Sequence, residues 1–164
     1  MNSLLEEINN QVYKKLGFVI SYFTEEQESK EYDACKFDLN RLHVLSRTAK
    51  ITPKKVGQFV TFWQRNNNGV IAPYDEIDDV DFFIVNVELD NRLGQFVFPK
   101  SILIKKGILT TNTKEGKRAF RVYPNWDLPK SKQAEKTQKW QLDYFYEIDK
   151  STDLEKVDAL YKNC

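Results

Sequence analysis

Thr52-Pro53-Lys54-Lys55-Val56-Gly57-Gln58-Phe59-Val60-Thr61-Phe62-Trp63 follows three β-like segments. What it forms settles how the chain crosses its own sheet. Thr52 has the side chain of a helix cap, and Pro53 suits the first helical position. Val56, Phe59, Val60 and Trp63 then recur at i, i+3, i+4 and i+7, which is one apolar helical face. The spacing predicts a helix that Asn66-Asn67-Asn68-Gly69 brings to an end.

Upstream, Leu4, Leu5, Ile8, Val12 and Leu16 predict a first helix over residues 3–16, stopped by Gly17. Residues 18–23 read as a strand and residues 24–30 as a charged turn. Residues 31–39 and 42–50 read as two strands joined at Asn40-Arg41. Downstream of an acidic loop, residues 81–89 are strongly β, Asp90-Asn91 turns, and residues 95–98 return. Residues 99–106 suit a short helix with Gly107 as its stop. Residues 117–123 suit a strand. Residues 133–148 suit a helix with Thr137, Trp140, Tyr144 and Ile148 on one side, and the last dozen residues suit a further short helix. Antiparallel strands beside helix-connected ones predict an α/β fold, a mixed β-sheet flanked by helices.

The 164 residues are expected to form a single domain, 1–164. Hydrophobic residues at 41% and aromatics at 13% suffice for a core, so disorder is not expected. The only cysteines, Cys35 and Cys164, make neither a disulfide framework nor a zinc spacing, which suits a reducing compartment. The N-terminus lacks a basic region followed by an apolar run, so no signal peptide is expected. No segment approaches the ~20 apolar residues of a membrane span.

Net charge is +1, yet it is segregated. Residues 1–38 carry −4. Residues 39–74 hold six bases and no acid, and residues 75–90 hold seven acids and no base. Residues 91–141 carry +9 and residues 142–164 carry −3. Such blocks become patches that attract phosphates or a charged partner, or folding mixes them into ordinary solvated faces.

The most basic strand is Lys117-Arg118-Ala119-Phe120-Arg121-Val122-Tyr123. Alternation puts Lys117, Ala119, Arg121 and Tyr123 on one face, and Arg118, Phe120 and Val122 on the other. Guanidinium groups grip phosphate and an aromatic ring can stack on a base. Arg47, Lys50, Lys54, Lys55, Arg65, Lys100 and Arg118 are expected to extend this surface. Phe59, Trp63, Trp140 and Tyr144 read as core, on helical apolar faces.

A metal-dependent nuclease would need acids converging on Mg²⁺ or Mn²⁺, with a lysine near the attacking water. Two places offer such residues. In the hairpin 31–50, pairing Leu39 with Leu42 would set Asp33 opposite Thr48 and Glu31 opposite Lys50, all on one face. Thr48 then stands where an acid is wanted, and a surface ion pair is the plainer reading. In the hairpin 81–100, Asp81 and Glu88 bracket one strand and Lys100 follows its partner, with Asp75, Glu76, Asp78 and Asp79 nearby. There Gln95 or Phe98 takes the place of a second acid. His43 is the only histidine; it offers no multi-histidine zinc site, and it reads as an ordinary strand residue rather than a member of a Ser-His-Asp set. No phosphate-binding glycine loop is present.

Several strings, in order, carry a resemblance. They are Arg47-Thr48-Ala49-Lys50-Ile51-Thr52-Pro53-Lys54-Lys55-Val56-Gly57-Gln58-Phe59-Val60 with Trp63-Gln64-Arg65, and Gly94-Gln95-Phe96-Val97-Phe98-Pro99-Lys100. Further on come Gly116-Lys117-Arg118-Ala119-Phe120-Arg121-Val122-Tyr123-Pro124, Trp126 and Thr137-Gln138-Lys139-Trp140-Gln141. Together they resemble the MepB family. The resemblance implies a cytoplasmic bacterial protein linked to drug tolerance, since the family takes its name from an operon that also encodes a multidrug efflux pump. It also implies a restriction-endonuclease-like core, in agreement with the predicted opening order αβββαβ. The expected function is nucleic-acid binding, to DNA or RNA through the phosphate backbone, on a nuclease-like fold with a divergent or inactive catalytic site. Metal-dependent phosphodiester hydrolysis is the enzymatic alternative. An adaptor docking through the acidic segment 75–90 is the third reading.

Overall fold

Asn2 accepts the Leu5 N–H at 2.8 Å and so starts the first helix, α1 (Ser3–Ile8). A π-turn (Asn9–Tyr13) and a 3₁₀ turn (Lys14–Leu16) carry it on to Gly17, whose φ of 75° ends it as expected. The computed structural model describes residues 1–162. Cys164 lies outside them.

The strands are β1 (Ile20–Glu25), β2 (Cys35–Leu39), β3 (Leu42–Thr48), β4 (Lys50–Ile51), β5 (Gln58–Thr61), β6 (Trp63–Arg65), β7 (Ile71–Pro73), β8 (Phe82–Leu89), β9 (Arg92–Pro99), β10 (Ala119–Val122) and β11 (Phe145–Glu147). The later helices are α2 (Lys100–Lys105), α3 (Lys132–Gln141) and α4 (Leu154–Lys162). A six-stranded sheet runs β1-β2-β3-β8-β9-β11. All its pairings are antiparallel except β3 with β8, which is parallel. The mixed sheet flanked by helices expected from the sequence is therefore the fold.

The β2–β3 hairpin has Leu39 opposite Leu42, the expected register. Asn40 and Arg41 have φ of 49° and 74°. Positive φ at both turn positions matches the twist of the flanking strands.

The six-stranded sheet is covered on both faces. On one, α1, the π-turn after it and α4 pack Leu5, Ile8, Val12, Val157 and Leu160 against Phe37, Val44, Phe82, Ile84 and Val97. This face also holds a neutral polar network. Gln95 Oε1 accepts from the hydroxyls of Tyr13 (3.3 Å), Tyr146 (2.7 Å) and Tyr161 (2.9 Å). Gln95 Nε2 donates to Asn86 Oδ1 at 2.8 Å. Burial raises all three phenols above their ordinary value, so they remain hydroxyl donors. On the other face, Val60, Phe62, Tyr74, Phe120 and Val122 pack on Leu45, Phe83, Val85, Phe96 and Phe98.

Much of that second cover comes from residues 52–63, which correct the sequence reading. They form no helix. Thr52 and Pro53 belong to a loop in which Lys54 and Gly57 take φ of 70° and 84°. From Gln58 onward the chain is extended. Gln58, Val60 and Phe62 are buried, whereas Phe59, Thr61 and Trp63 are half-buried and face outward. Period two prevails over the helical spacing because Phe59 and Trp63, counted as core, belong to the outer face. β5 becomes the centre of a three-stranded sheet, β10-β5-β4. The crossover from β3 to β8 is thus made of strands, where αβββαβ had placed a helix.

Three further boundaries move. Residues 30–32 form a 3₁₀ turn, so β2 starts only at Cys35. β10 spans Ala119–Val122, shorter than the expected 117–123. The predicted helix 133–148 ends at Gln141, and Phe145–Glu147 join the large sheet beside β9.

Candidate nucleic-acid interface

The small sheet turns one face to the core and one to the outside. β10, β5 and β4 place Arg121 opposite Phe59 and Phe59 opposite Lys50. These three side chains form a row across the outer face, roughly 10 Å from end to end at the usual strand spacing. Arg121 lies 5.9 Å from the Phe59 ring centroid, and Tyr32 packs beside Phe59 at 6.4 Å between ring centroids. Lys50 Nζ lies 4.9 Å over the Tyr32 ring. Thr61 and Trp63 continue the face along β5 and β6, where Arg65 lies 5.7 Å over Trp63. Aromatic and cationic side chains therefore alternate on one surface.

Next to this face, β10 and α3 enclose a cleft of about 440 Å³. Lys117, Ala119, Arg121 and Tyr123 line its strand side, the same four that alternation put on one face. Ser131, Ala134, Thr137 and Trp140 line its helix side, and Lys106 stands at its edge, 5.4 Å over the Trp140 ring. Ser131 caps α3 by accepting the Ala134 N–H at 3.1 Å.

The predicted cations fall into different settings. Lys117 and Lys50 are exposed on or beside the outer face. Arg65 is exposed but bonded to Glu28 (2.6 Å) and to the Gly69 carbonyl (3.0 Å). Arg118 is exposed and paired with Glu115 at 3.0 Å. Lys100 donates to the Asp78 carbonyl at 2.6 Å. Tyr123 is half-buried against Gly57, where an added Cβ would come within 2.7 Å of its ring.

Arg47 is not on this surface at all. Its side chain has 0% exposure and is bonded to Glu26 at 3.1 Å. Tyr74 lies beside the pair. Burial first, then the Glu26 carboxylate, pushes its hydroxyl up to about 12, with Arg47 pulling the other way.

Arg121 holds the site together. Its guanidinium donates to the Thr52 hydroxyl (2.6 Å) and to the carbonyls of Gly57 (3.3 Å) and Val56 (3.4 Å). It thereby clasps the loop that the sequence read as a helix start. Arg121→Ala is expected to cost roughly 1–3 kcal/mol and to lower the melting temperature. Arg121→Lys keeps the charge but loses the planar fork, so it should recover only part. Melts of the three proteins side by side check this. Equal melting temperatures would leave the clasp without energetic weight.

The acids scatter. Asp81 and Glu88 stand near opposite ends of β8, roughly 23 Å apart at ~3.3 Å per residue. Asp81 Oδ2 accepts the His43 N–H at 2.7 Å, which ties the start of β8 to β3. Glu88 is exposed. Glu31 and Asp33 lie in the turn before β2, where Asp33 takes φ of 50°, and Lys50 lies on β4, so neither the Asp33–Thr48 nor the Glu31–Lys50 pairing forms. Asp78 is occupied by Gln64 and by the Asp75 N–H, both at 2.7 Å. His43 Nδ1 lies 2.7 Å from Asp38, and that bond raises the imidazole above its ordinary value. No group of three or more His, Cys, Asp or Glu among the described residues is placed to hold a metal ion. No helix among them is long and apolar enough to cross a membrane.

Sequence reasoning missed Phe59, Tyr32, Lys106 and the cleft-lining role of Trp140. The alternation from Gln58 to Trp63, with Gly57 before it, was the available signal for Phe59.

The fold and surface define a class: an α/β protein whose small outer sheet presents cations between aromatic rings. Within it the chain belongs to the MepB-like family, whose model matches residues 26–147. A solved structure described as the crystal structure of MepB is 37% identical, covers 92% of this chain and 100% of its own, and superposes with a TM-score of 0.79. A bacterial homing endonuclease is 18% identical over 96% of this chain and 91% of its own, with a TM-score of 0.46, too loose a match to speak for function. No curated protein matched the sequence.

Proposed function

We propose that this protein binds nucleic acid, DNA or RNA, on the outer face of the small sheet and in the cleft beside it. The observation that carries the reading is the interleaving of Lys50, Tyr32, Phe59 and Arg121 across one outward face. Aromatic rings stack on bases whatever their identity, and cations beside them neutralise the backbone. Lys117 and Lys106 continue the positive surface into the cleft. A cytoplasmic setting, as the family resemblance implies, fits such a ligand. Phosphate contacts dominate, so sequence preference is weak.

Fluorescence anisotropy with a labelled oligonucleotide at two salt concentrations tests it. Binding should be micromolar or tighter at low salt and weaken steeply as salt rises. Phe59→Ala should cost about 1–3 kcal/mol of binding through lost stacking. Lys14→Ala, on the opposite helical layer, should change nothing. No binding at low salt overturns the proposal. Incubation with Mg²⁺ or Mn²⁺ should leave the oligonucleotide intact. Cleavage abolished by chelator and by Asp81→Ala would instead make the protein a nuclease.

A further inference from the structure

The free edge of β10 is closed at two points and open between them. At one end the Ile108 carbonyl accepts the Lys117 N–H at 2.9 Å. At the other, Gln141 Nε2 donates to the Arg121 carbonyl and Gln141 Oε1 accepts the Tyr123 N–H, both at 2.9 Å. The Phe62 N–H donates to the Arg118 carbonyl, and Phe120 and Val122 stand opposite Val60 and Gln58. In an antiparallel pair only alternate residues bond to the partner strand. The backbone groups of Arg118, Phe120 and Val122 therefore face β5, and those of the odd-numbered residues face the free edge. This leaves the Lys117 carbonyl, the Ala119 N–H, the Ala119 carbonyl and the Arg121 N–H along the open stretch. They make two slots, each a carbonyl and the N–H two residues on. Gln141 fills the next slot of the same series with a planar carboxamide.

We infer that the cleft beside β10 takes an unstacked nucleobase, its hydrogen-bonding edge seated in an Ala119 slot as the Gln141 carboxamide is seated next to it, so that the nucleic acid bound here is single-stranded. The inference rests on the nucleic-acid reading above and names the form of the ligand. The pairing edge of every nucleobase sets a donor beside an acceptor, much as a carboxamide does. In a duplex those groups are already engaged, whereas in a single strand they are free for protein contacts. The cleft, at about 440 Å³, is of the size that holds small ligands. Tyr123 and Trp140 offer aromatic walls for stacking, and Lys106 and Lys117 stand where a phosphate would emerge. An extended peptide could use the same backbone groups. Two slots are little for a strand, however, and the cations and rings around them suit a nucleotide better.

Ala119→Pro deletes the N–H that faces the cleft and leaves the bonds to β5 in place, because Ala119 donates nothing to β5. Its affinity for single-stranded oligothymidylate should fall about tenfold or more, with duplex binding at the same salt unchanged. Wild-type protein should bind the single strand more tightly than the duplex. Its Ala119 and Arg121 amide signals should shift on titration with oligothymidylate. If circular dichroism shows that the proline variant does not fold, Ala119→Leu, which fills the cleft and spares the backbone, should give the same selective loss. Equal affinity of wild type for both forms, or unchanged single-strand affinity in a folded variant, overturns the inference while salt-dependent binding still stands. Failure to bind either form at low salt overturns the proposed function itself. An acidic peptide that shifts the two amides when oligothymidylate does not would make this a peptide site and also overturn it.

Discussion

Glu26→Ala is expected to destabilise the protein by about 3–5 kcal/mol, the usual cost of leaving a buried charge without its partner. Arg47 has no exposed surface, and Glu26 is 12% exposed. The single bond between them, at 3.1 Å, is the guanidinium's one hydrogen bond to a carboxylate. Its Nε and Nη1 find no partner among the described residues. Removing the carboxylate leaves the cation in an apolar layer beside Tyr74 and Val85. Replacing both residues should cost far less, because the desolvation of two charges is relieved together. Chemical denaturation of Glu26→Ala, Arg47→Met and the double variant Glu26→Ala/Arg47→Met checks this. The double variant should be more stable than either single one. If its loss equals the sum of the two, the pair is not coupled and the account is wrong.

Gln95→Leu should be the second large loss, roughly 3–5 kcal/mol. The leucine is of similar size but strands the Tyr146 hydroxyl, one donor of the Tyr13–Tyr161 hydroxyl pair and the Oδ1 of Asn86. Each unsatisfied buried polar group costs ~1–3 kcal/mol. The 2.6 Å bond between the Tyr13 and Tyr161 hydroxyls survives and limits the damage. Adding Tyr146→Phe removes one stranded hydroxyl and should recover about 1 kcal/mol. Urea titration of the single and double variants measures both steps. A Gln95→Leu protein as stable as wild type would mean that the network adds no stability.

These two sites also show how legible the chain was. Where a segment has one wet and one dry side, its residue types reported its conformation. β10 is such a segment, and its alternation placed Lys117, Ala119, Arg121 and Tyr123 together in the cleft. The β2–β3 register was legible for another reason: Asn40-Arg41 is a two-residue turn between apolar runs. β3 is covered on both faces, so neither side of its alternation marks water. Arg47 there looks like a surface cation and is the most buried charge among the described residues. Residues 56–63 failed differently. Phe59 and Trp63 are large and apolar yet face outward, and counting them as core manufactured a helical face. β11 was lost because Tyr144 and Ile148, which flank it, continue the helical spacing of Thr137 and Trp140 straight across the strand. The binding surface was half legible for the same reasons. Its cations could be read from charge, but its aromatic rings were assigned to the core.

The carboxamide of Gln141 has a consequence for how the molecules behave in a crowd. A bare strand edge invites the edge of another copy, and such pairing propagates into sheets that run through many chains. In β10 the Ile108 carbonyl and the Gln141 side chain occupy both ends of that edge. The gap between them is too short to template a neighbour's strand. Gln141→Ala would lengthen it by one slot, and concentrated solutions of that variant should be the ones that turn cloudy.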